Sequence, residues 1–142
     1  MVSPMALKRL RVGLALIIDD RKILIAKRKK NHSFGGFWEF PGGKCESGES
    51  ISDCVRRESR EELGVEVTPI QELAAIEYEY SKTVVTLIPL ICRHDSGEPV
   101  ALSASEVRWV EMASLGDFEF PPANAGLVAM LKTGIDLTPA KA

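Results

Sequence analysis

Three glutamates in the segment RRESREEL, residues 56–63, have the chemistry and the spacing to hold a divalent metal ion. On a helical wheel at roughly 100° per residue, Glu58 and Glu62 lie on the same side as Ile51 and Val55, and Glu61 lies beside them. Carboxylates three or four residues apart repel each other, and burying an unpaired carboxylate is costly. A divalent cation removes both penalties, and carboxylate oxygens suit Mg²⁺ or Mn²⁺. The alternative is a solvated, charged helix face.

The helix that would carry these glutamates has both of its ends marked in the sequence. Ser50 and Asp53 form the S-x-x-D pair of a capping-box-like start. Gly64 stands where a helix commonly ends in a left-handed residue. These signals predict a helix over residues 51–63, with Arg56 and Arg60 on the side away from the apolar stripe.

The spacing of this region resembles the Nudix box, the signature of the Nudix hydrolase family. Five residues separate Gly43 from Glu49, seven more precede Arg57, and the run RESREELGV, residues 57–65, follows the family order. Ser59 departs from that order, because the family usually has an aliphatic residue there. The wheel places Ser59 at the edge of the buried stripe, so a small polar residue is expected to be tolerated.

The resemblance implies both a fold and a reaction. The fold is of the α/β class, a Nudix-type α/β/α sandwich with a mixed β-sheet. The reaction is hydrolysis of a nucleoside diphosphate linked to another group, with Mg²⁺ or Mn²⁺ as cofactor. By position, Glu58, Glu61 and Glu62 are expected to be metal ligands, and the carbonyl of Gly42 is a further candidate. Which carboxylate serves as the base stays open.

Two further residues complete the catalytic set that the resemblance implies. Arg57 is expected to orient Glu58 or another carboxylate through a charge-assisted hydrogen bond. Glu49 is expected either to pair with Arg57 or to help hold water.

Segments outside the box resemble the MutT-like group of this family, whose members hydrolyse 8-oxo-dGTP to the monophosphate and pyrophosphate in nucleotide-pool sanitation and DNA repair. These segments are WEFPGGK, residues 38–44, and FPPAN, residues 120–124. The resemblance implies that Asn124 reads the oxidised purine edge, that Phe40 forms a pocket wall, and that Arg28 lies near the nucleotide. Each has a simpler alternative: Asn124 as a helix N-cap, Phe40 as a core residue, and Arg28 as a solvated charge at a strand end.

Two positions depart from the MutT-like pattern. Thr83 replaces an arginine expected over the base, and Ser103 replaces an expected metal-binding glutamate. We expect Glu106, three residues later, to supply that carboxylate as a metal ligand. The departures leave open a different Nudix specificity, for CTP or another pyrimidine triphosphate or for a broad range of nucleotides. A non-catalytic binding module is a third reading, which the retained glutamates disfavour.

Composition indicates an ordinary globular protein. The chain has 142 residues, 45% hydrophobic and 27% charged, and a net charge of −2. We expect one domain over residues 8–133, with tails at 1–7 and 134–142. The charge disfavours a nucleic-acid polymer as partner, and the absence of a secretory signal or a membrane-spanning run favours a cytoplasmic protein. The expected partner is a nucleoside triphosphate; monomer and homodimer both stay open.

Other side chains carry weaker signals. Cys45, Cys54 and Cys92 share no metal-ligand spacing and suggest no disulfide scaffold, and Cys54 reads as a core residue. A basic segment at residues 22–30 is either a solvated strand end or a means of attracting a polyphosphate.

Local patterns predict the elements that must position these residues. Strands are expected at 9–18 and 22–27, which form a hairpin, at 83–93 and at 107–112, with one or two more within 65–80. A short extended piece is expected at 37–40, turns at 41–43 and 94–98, a loop at 31–36, and a terminal helix at 124–132.

Overall fold

A computed structural model describes residues 8–31 and 34–134, where eight strands form one mixed sheet with a helix on each face. The strands are β1 (Lys8–Asp19), β2 (Lys22–Lys27), β3 (Trp38–Glu39), β4 (Gly42–Lys44), β5 (Glu66–Glu72), β6 (Ile76–Tyr80), β7 (Thr83–Ser96) and β8 (Glu106–Glu111). The helices are α1 (Ile51–Leu63) and α2 (Ala125–Lys132), and short 3₁₀ helices span Met112–Asp117 and Pro122–Asn124. The predicted α/β/α sandwich is confirmed.

The alternation of side chains along β1 explains why the sheet has a core on both faces. Leu16 is fully buried in the cluster that contains Leu131 of α2. Ile17, the next residue, is fully buried on the other side, in the cluster that contains Val55 and Leu63 of α1. A run that is apolar at every position therefore suits a central strand covered on both sides.

The pairing of β1 makes the sheet mixed and brings the glycine segment to the acidic helix. β1 pairs with β7 in parallel along most of its length, whereas the other strand pairs are antiparallel. On its other edge, β1 pairs first with β4, from Val12 to Leu14, and then with β2 at Ile18 and Asp19. The predicted hairpin of β1 and β2 is confirmed, and β4 continues directly into the loop before α1.

Both predicted ends of α1 are confirmed. The Oγ of Ser50 accepts a hydrogen bond from the backbone N–H of Asp53 at 3.1 Å. Gly64 adopts a left-handed conformation with φ 68°, and its N–H donates to the carbonyl of Arg60 at 3.0 Å. Cys54 is fully buried, as predicted for a core residue.

Two predicted turns are wrong in part. Residues 41–43 do not form a simple turn, because Gly42 and Gly43 belong to β4 and pair with Leu14 and Gly13 of β1. A Cβ at Gly42 would overlap the carbonyl oxygen of Gly13, so this close approach of two backbones requires glycine. Residues 94–96 extend β7, since they pair with β5, and the chain turns only at Gly97, where φ is 96°.

One expectation for the faces of α1 is also corrected. Ser59 does not lie at the edge of the buried stripe: it is 0% exposed, and its hydroxyl has no hydrogen-bond partner among the described residues. The Nε of Arg56 is also buried, and it likewise lacks a hydrogen-bond partner in the described part of the chain. Packing between α1 and the sheet covers more of the helix than the apolar residues alone would indicate.

The remaining elements follow their predictions closely. The region 65–80 contains two strands, β5 and β6, and α2 begins at Ala125 because Asn124 ends a 3₁₀ turn. The predicted tail at 1–7, residues 135–142 of the predicted tail at 134–142, and residues 32–33 of the predicted loop lie outside the described residues. No helix among residues 8–31 and 34–134 has the length and apolar character to span a membrane.

Candidate active site

Arg57 binds three carboxylates at the side of α1. Its Nε and Nη2 bind the two oxygens of Glu49 at 2.8 and 3.0 Å, and its Nη1 binds Glu58 at 2.8 Å and Glu61 at 3.2 Å. The guanidinium also donates to the carbonyl oxygen of Lys44 at 3.1 Å. A planar group with five donors is suited to this task, which a lysine could not perform.

Glu49 lies in the loop between β4 and α1 and is held there from two sides. Its Oε1 accepts from the backbone N–H of Glu46 at 2.9 Å, in addition to the two bonds from Arg57. These hydrogen bonds, chiefly those from Arg57, lower the pKa of Glu49 to about 2. Of the two roles expected for Glu49, the structure displays the pairing with Arg57.

Glu58 and Glu62 lie side by side between α1 and β4. Glu62 accepts a hydrogen bond from the backbone N–H of Gly42 at 3.3 Å. Burial, and then a hydrogen bond with the Glu58 carboxyl, raises the pKa of Glu62 far above the usual range for a glutamate. A Cβ at Gly43 would overlap the carboxylate of Glu58, so the absence of a side chain at that position makes room for the acid.

The structure does not bring every predicted metal ligand to one point. The side chain of Glu61 is 59% exposed and contacts Arg57. Glu106, on β8, binds Arg108 on its own strand at 2.5 Å. Within residues 8–31 and 34–134, no three acidic, histidine or cysteine side chains form a group that could hold a metal ion. The assignment of Glu106, and of the full ligand set, stays a prediction.

Ser103 follows a segment that is hydrogen-bonded to the end of α1. The preceding residue, Leu102, donates its N–H to the carbonyl of Glu62 at 3.0 Å, and Val100 donates to Leu63 at 3.0 Å. The loop that contains Ser103 is therefore fastened to the last turn of the acidic helix.

The residues around Glu58 and Glu62 fit a divalent cation. Two carboxylates in contact, one of them largely shielded from water, are stable together only when a proton or a cation neutralises their charges. All the side-chain donors are oxygens, the donor type that Mg²⁺ and Mn²⁺ prefer. The carbonyl of Gly42 is the predicted backbone ligand, and the N–H of the same residue donates to Glu62.

A cavity of about 500 Å³ opens beside this acidic pair. Its lining includes all three predicted substrate-binding residues, Arg28, Phe40 and Asn124, together with Gly42 and Gly43. Since the same two glycines contact Glu62 and Glu58, the cavity and the acidic pair share a wall. The volume lies within the range of roughly 300–1,000 Å³ that is usual for small-molecule sites.

Arg28 and Phe40 are held in place by neighbours in the cavity wall. The Nη1 of Arg28 binds Glu39 at 2.7 Å, and both side chains remain about one-third exposed. Phe40 is 3% exposed and stacks on Phe120, with ring centroids 5.0 Å apart. Phe40 therefore belongs to the core and to the cavity wall at once, so its two predicted roles are compatible.

The capping alternative for Asn124 is not adopted. Asn124 precedes α2 in the N-cap position, but its side chain makes no capping hydrogen bond. The residue is 9% exposed and lines the cavity. Its amide, which can both donate and accept, is thus available to a molecule in the cavity.

Comparisons with known proteins agree with this geometry. Residues 13–130 match the family model of the NUDIX domain. The chain belongs to the Nudix family. It is accordingly a hydrolase of phosphoanhydride bonds, and enzymes of this Nudix class generally need a divalent metal ion.

This Nudix hydrolase is similar to three proteins from E. coli. It is 31% identical over 127 residues to the 8-oxo-dGTP diphosphatase of Escherichia coli K12, an alignment covering 89% of this chain and 98% of that protein. It is 41% identical over 81 residues to the CTP pyrophosphohydrolase of the same organism, covering 57% and 60% of the two chains. The solution structure of the E. coli ORF135 protein superposes with a TM-score of 0.80 at 29% identity, covering 96% of this chain and 98% of that one.

The cavity of this Nudix domain has an aromatic rim that the sequence analysis missed. Phe34, Tyr78 and Tyr80 line it and are 47%, 36% and 62% exposed. The alternation of the segment EYEY, residues 77–80, was a usable signal, because side chains two apart on a strand share a face. By contrast, Trp38 is buried against Phe118, and neither it nor Trp109 lines the cavity.

Proposed function

We propose that this Nudix hydrolase is a Mg²⁺-dependent nucleoside triphosphate diphosphatase of MutT type. Its substrate is 8-oxo-dGTP, its products are the monophosphate and pyrophosphate, and its role is sanitation of the nucleotide pool. One observation carries the proposal: a single cavity joins Arg28, Phe40 and Asn124 to the glycines that contact Glu58 and Glu62. A base in that cavity would direct its phosphates towards the acidic pair.

The cavity suits a purine. Phe40 and the aromatic rim provide apolar surface for a flat base, and base–aromatic stacking is worth about 1–3 kcal/mol per base. Asn124 provides one donor group and one acceptor group at the α2 end, the combination that reads a purine edge. The 8-oxo-dGTP diphosphatase of E. coli, aligned over nearly its whole length, supports the same substrate.

The acidic side of the site would carry out the hydrolysis. Glu58, Glu61, Glu62 and the carbonyl of Gly42 would hold the divalent ion, with Glu106 as a further ligand. The ion would supply neutralisation of the phosphate charge and activation of water. Arg57 holds Glu58 in position and also anchors Glu49, which keeps the loop before α1 in place.

The products alone fit attack at either the α- or the β-phosphorus, and the resemblance to the MutT-like group implies attack at the β-phosphorus. The water oxygen forms a bond to the β-phosphorus, and the bond from that phosphorus to the oxygen bridging to the α-phosphate breaks. The bridging oxygen leaves with the nucleoside monophosphate, and the water oxygen ends in pyrophosphate. A proton from the attacking water passes to a carboxylate base of the acidic site.

The test is pyrophosphate release with Mg²⁺ on 8-oxo-dGTP, dGTP, CTP, dCTP and dATP, expressed as kcat/KM, with hydrolysis in ¹⁸O-water to locate the bond that is cleaved. We expect a strong preference for 8-oxo-dGTP over dGTP, and ¹⁸O in pyrophosphate. The variant Glu62→Gln is the inactive control. Equal kcat/KM values for all the nucleotides of the panel would overturn the substrate assignment. No pyrophosphate release from any of them would first indicate a substrate that is not a triphosphate.

CTP is the second candidate, because the CTP pyrophosphohydrolase of E. coli matches this chain with higher identity over a shorter segment. Thr83, where the MutT-like group has an arginine, also weakens the case for purine contact. Thr83 pairs with Tyr80 at the rim of the cavity, so this departure lies where it could change base selection. A preference for CTP or dCTP in the panel would select this alternative.

A further inference from the structure

Two cysteines beside the acidic site lie in direct contact. The Sγ atoms of Cys45 and Cys54 are 2.7 Å apart, and both thiols are free. Cys45 follows β4 immediately, and Cys54 lies in the first turn of α1, so the contact joins the two elements that hold Gly42 and Glu58. The spacing of nine residues in the chain had not indicated a pair, because only the fold of the intervening loop brings the sulfurs together.

The backbone holds both cysteines in this position. The N–H of Cys45 donates to the carbonyl of Arg11 on β1 at 2.9 Å, and that of Cys54 donates to Ser50 within the helix start at 2.9 Å. The Cys54 sulfur lies against the carbonyl of Gly43 at 3.5 Å, and a Cβ added at Gly13 would come within 3.3 Å of it. The sulfur contact is therefore a consequence of rigid elements, since strand and helix hydrogen bonds fix both main chains.

The two thiols differ in their access to solvent. Cys45 is partly exposed, whereas Cys54 is fully buried. A small oxidant in solution thus reaches Cys45 first, and Cys54 is already beside it as the second thiol. Cys92 is also buried, and its Sγ donates to the carbonyl of Leu90 on its own strand, which makes it an internal control.

We propose that Cys45 and Cys54 are a peroxide-responsive thiol pair that closes to an intramolecular disulfide and staples the loop before α1 to the helix. Hydrogen peroxide oxidises the Cys45 thiol to a sulfenic acid and releases water. The Cys54 sulfur then forms the S–S bond, and the hydroxyl of the sulfenic acid leaves as a second water with the Cys54 proton. One peroxide therefore accepts two electrons, one from each sulfur.

The bond would form with little movement of the chain. A disulfide has an S–S distance of about 2.05 Å, so the sulfurs need to approach by less than about 1 Å. The closed ring encloses residues 46–53, which include Glu49 and the helix cap Ser50. Because the two elements are already in contact, oxidation stiffens the loop that holds Glu49 against Arg57 and leaves the carboxylates where they are.

The first test is the chemistry of the whole protein. Reduced protein is treated with a small excess of hydrogen peroxide, its remaining thiols are alkylated under denaturing conditions, and its mass is measured. We expect a loss of 2 Da, one alkylated thiol instead of three, and a reducible ring within the tryptic peptide of residues 45–56. A sulfinic or sulfonic acid on Cys45 with Cys54 still alkylated, or a disulfide between two chains, would overturn the proposal.

Matched variants identify the pair. Cys45→Ser, at the partly exposed position, is expected to keep both remaining thiols under the same peroxide treatment. Cys92→Ser is expected to lose two thiols as the original chain does. Loss of the Cys54 thiol in Cys45→Ser would show that the two residues do not act as a pair.

The second test is thermal unfolding of the oxidised and reduced forms. A ring of this size is expected to raise Tm by about 5 °C or more, and dithiothreitol should reverse the rise. The peroxide-treated Cys45→Ser protein should show no rise. An unchanged or lower Tm of the oxidised form would contradict a disulfide that stabilises the contact between the loop and α1.

Activity provides a separate check. The rate of pyrophosphate release by the oxidised form is expected to lie within about twofold of that of the reduced form. A decrease in this rate that follows disulfide formation would contradict a disulfide that leaves the carboxylates in place. Inactivity of both forms would count against the proposed function, whereas the mass and Tm measurements would still decide the thiol proposal.

Discussion

Arg57 and Glu49 form a two-bond ion pair, Nε to Oε2 at 2.8 Å and Nη2 to Oε1 at 3.0 Å, between the acidic helix and the loop that precedes it. The same guanidinium binds Glu58 at 2.8 Å. Since 24% of the Arg57 side chain and 13% of that of Glu49 are exposed, the pair is shielded from most competition by water. The position of the loop before α1 and the position of the Glu58 carboxylate therefore both depend on the side chain of Arg57.

The variant Arg57→Lys tests this dependence. A lysine keeps the charge but loses the two parallel hydrogen bonds, so we expect kcat/KM to fall by roughly 10–100-fold, as is usual when a partner behind a metal ligand is lost. The matched control is Arg60→Lys, on the same helix, whose arginine is half-exposed and binds Glu66. The measurement is pyrophosphate release with helix content followed by circular dichroism. Equal activity of the two variants would refute the role of Arg57.

The variant Glu62→Gln tests the metal assignment. It removes one ligand charge without changing the shape of the side chain, so we expect weaker Mg²⁺ or Mn²⁺ binding in calorimetry. We also expect a loss of activity greater than the roughly 10–100-fold typical of an outer partner. Glu66→Gln, which changes an exposed pair with Arg60, is the control. Full turnover by a folded Glu62→Gln protein would be incompatible with Glu62 as a ligand.

Asn124→Ala separates base recognition from helix capping. Because Asn124 makes no capping bond to α2, the free energy of unfolding is expected to fall by less than the roughly 1 kcal/mol that loss of a capping Asn costs. The preference for 8-oxo-dGTP over dGTP is expected to fall by roughly tenfold, the loss typical of a paired contact to a base edge. Urea unfolding and the kcat/KM ratio are the two measurements. Equal losses on both nucleotides would remove Asn124 from base recognition.

Replacing Ser59 of α1 and its N-cap residue Ser50 by alanine should change the free energy of unfolding in opposite directions. Ser59→Ala removes a buried hydroxyl that has no partner among the described residues, so we expect a gain of about 1 kcal/mol in the free energy of unfolding. Ser50→Ala removes the N-cap bond to Asp53 and should cost about 1 kcal/mol. Both values come from urea unfolding. A loss of stability in Ser59→Ala would mean that the hydroxyl has a partner after all.

The sequence by itself determined the elements with strong local signals. The start of α1 at Ser50 and its end at Gly64 are local matters, because capping and left-handed geometry depend on neighbours in the chain. The apolar run within β1 and the order of the glutamates could also be read from the sequence alone. The order of the glutamates indicated both the family and the use of a divalent metal ion, because the motif is contiguous in the sequence.

Only the tertiary structure decided which of these residues meet. The antiparallel pairing of β4 with β1 brings Gly42 and Gly43 against Glu62 and Glu58, which no periodicity along the chain reveals. Packing of α1 on the sheet buries Ser59, although a wheel placed it at an edge. Contacts between residues far apart in the chain depend on how strands are ordered in the sheet. That order is set by the burial of both faces of the sheet together rather than by any one segment.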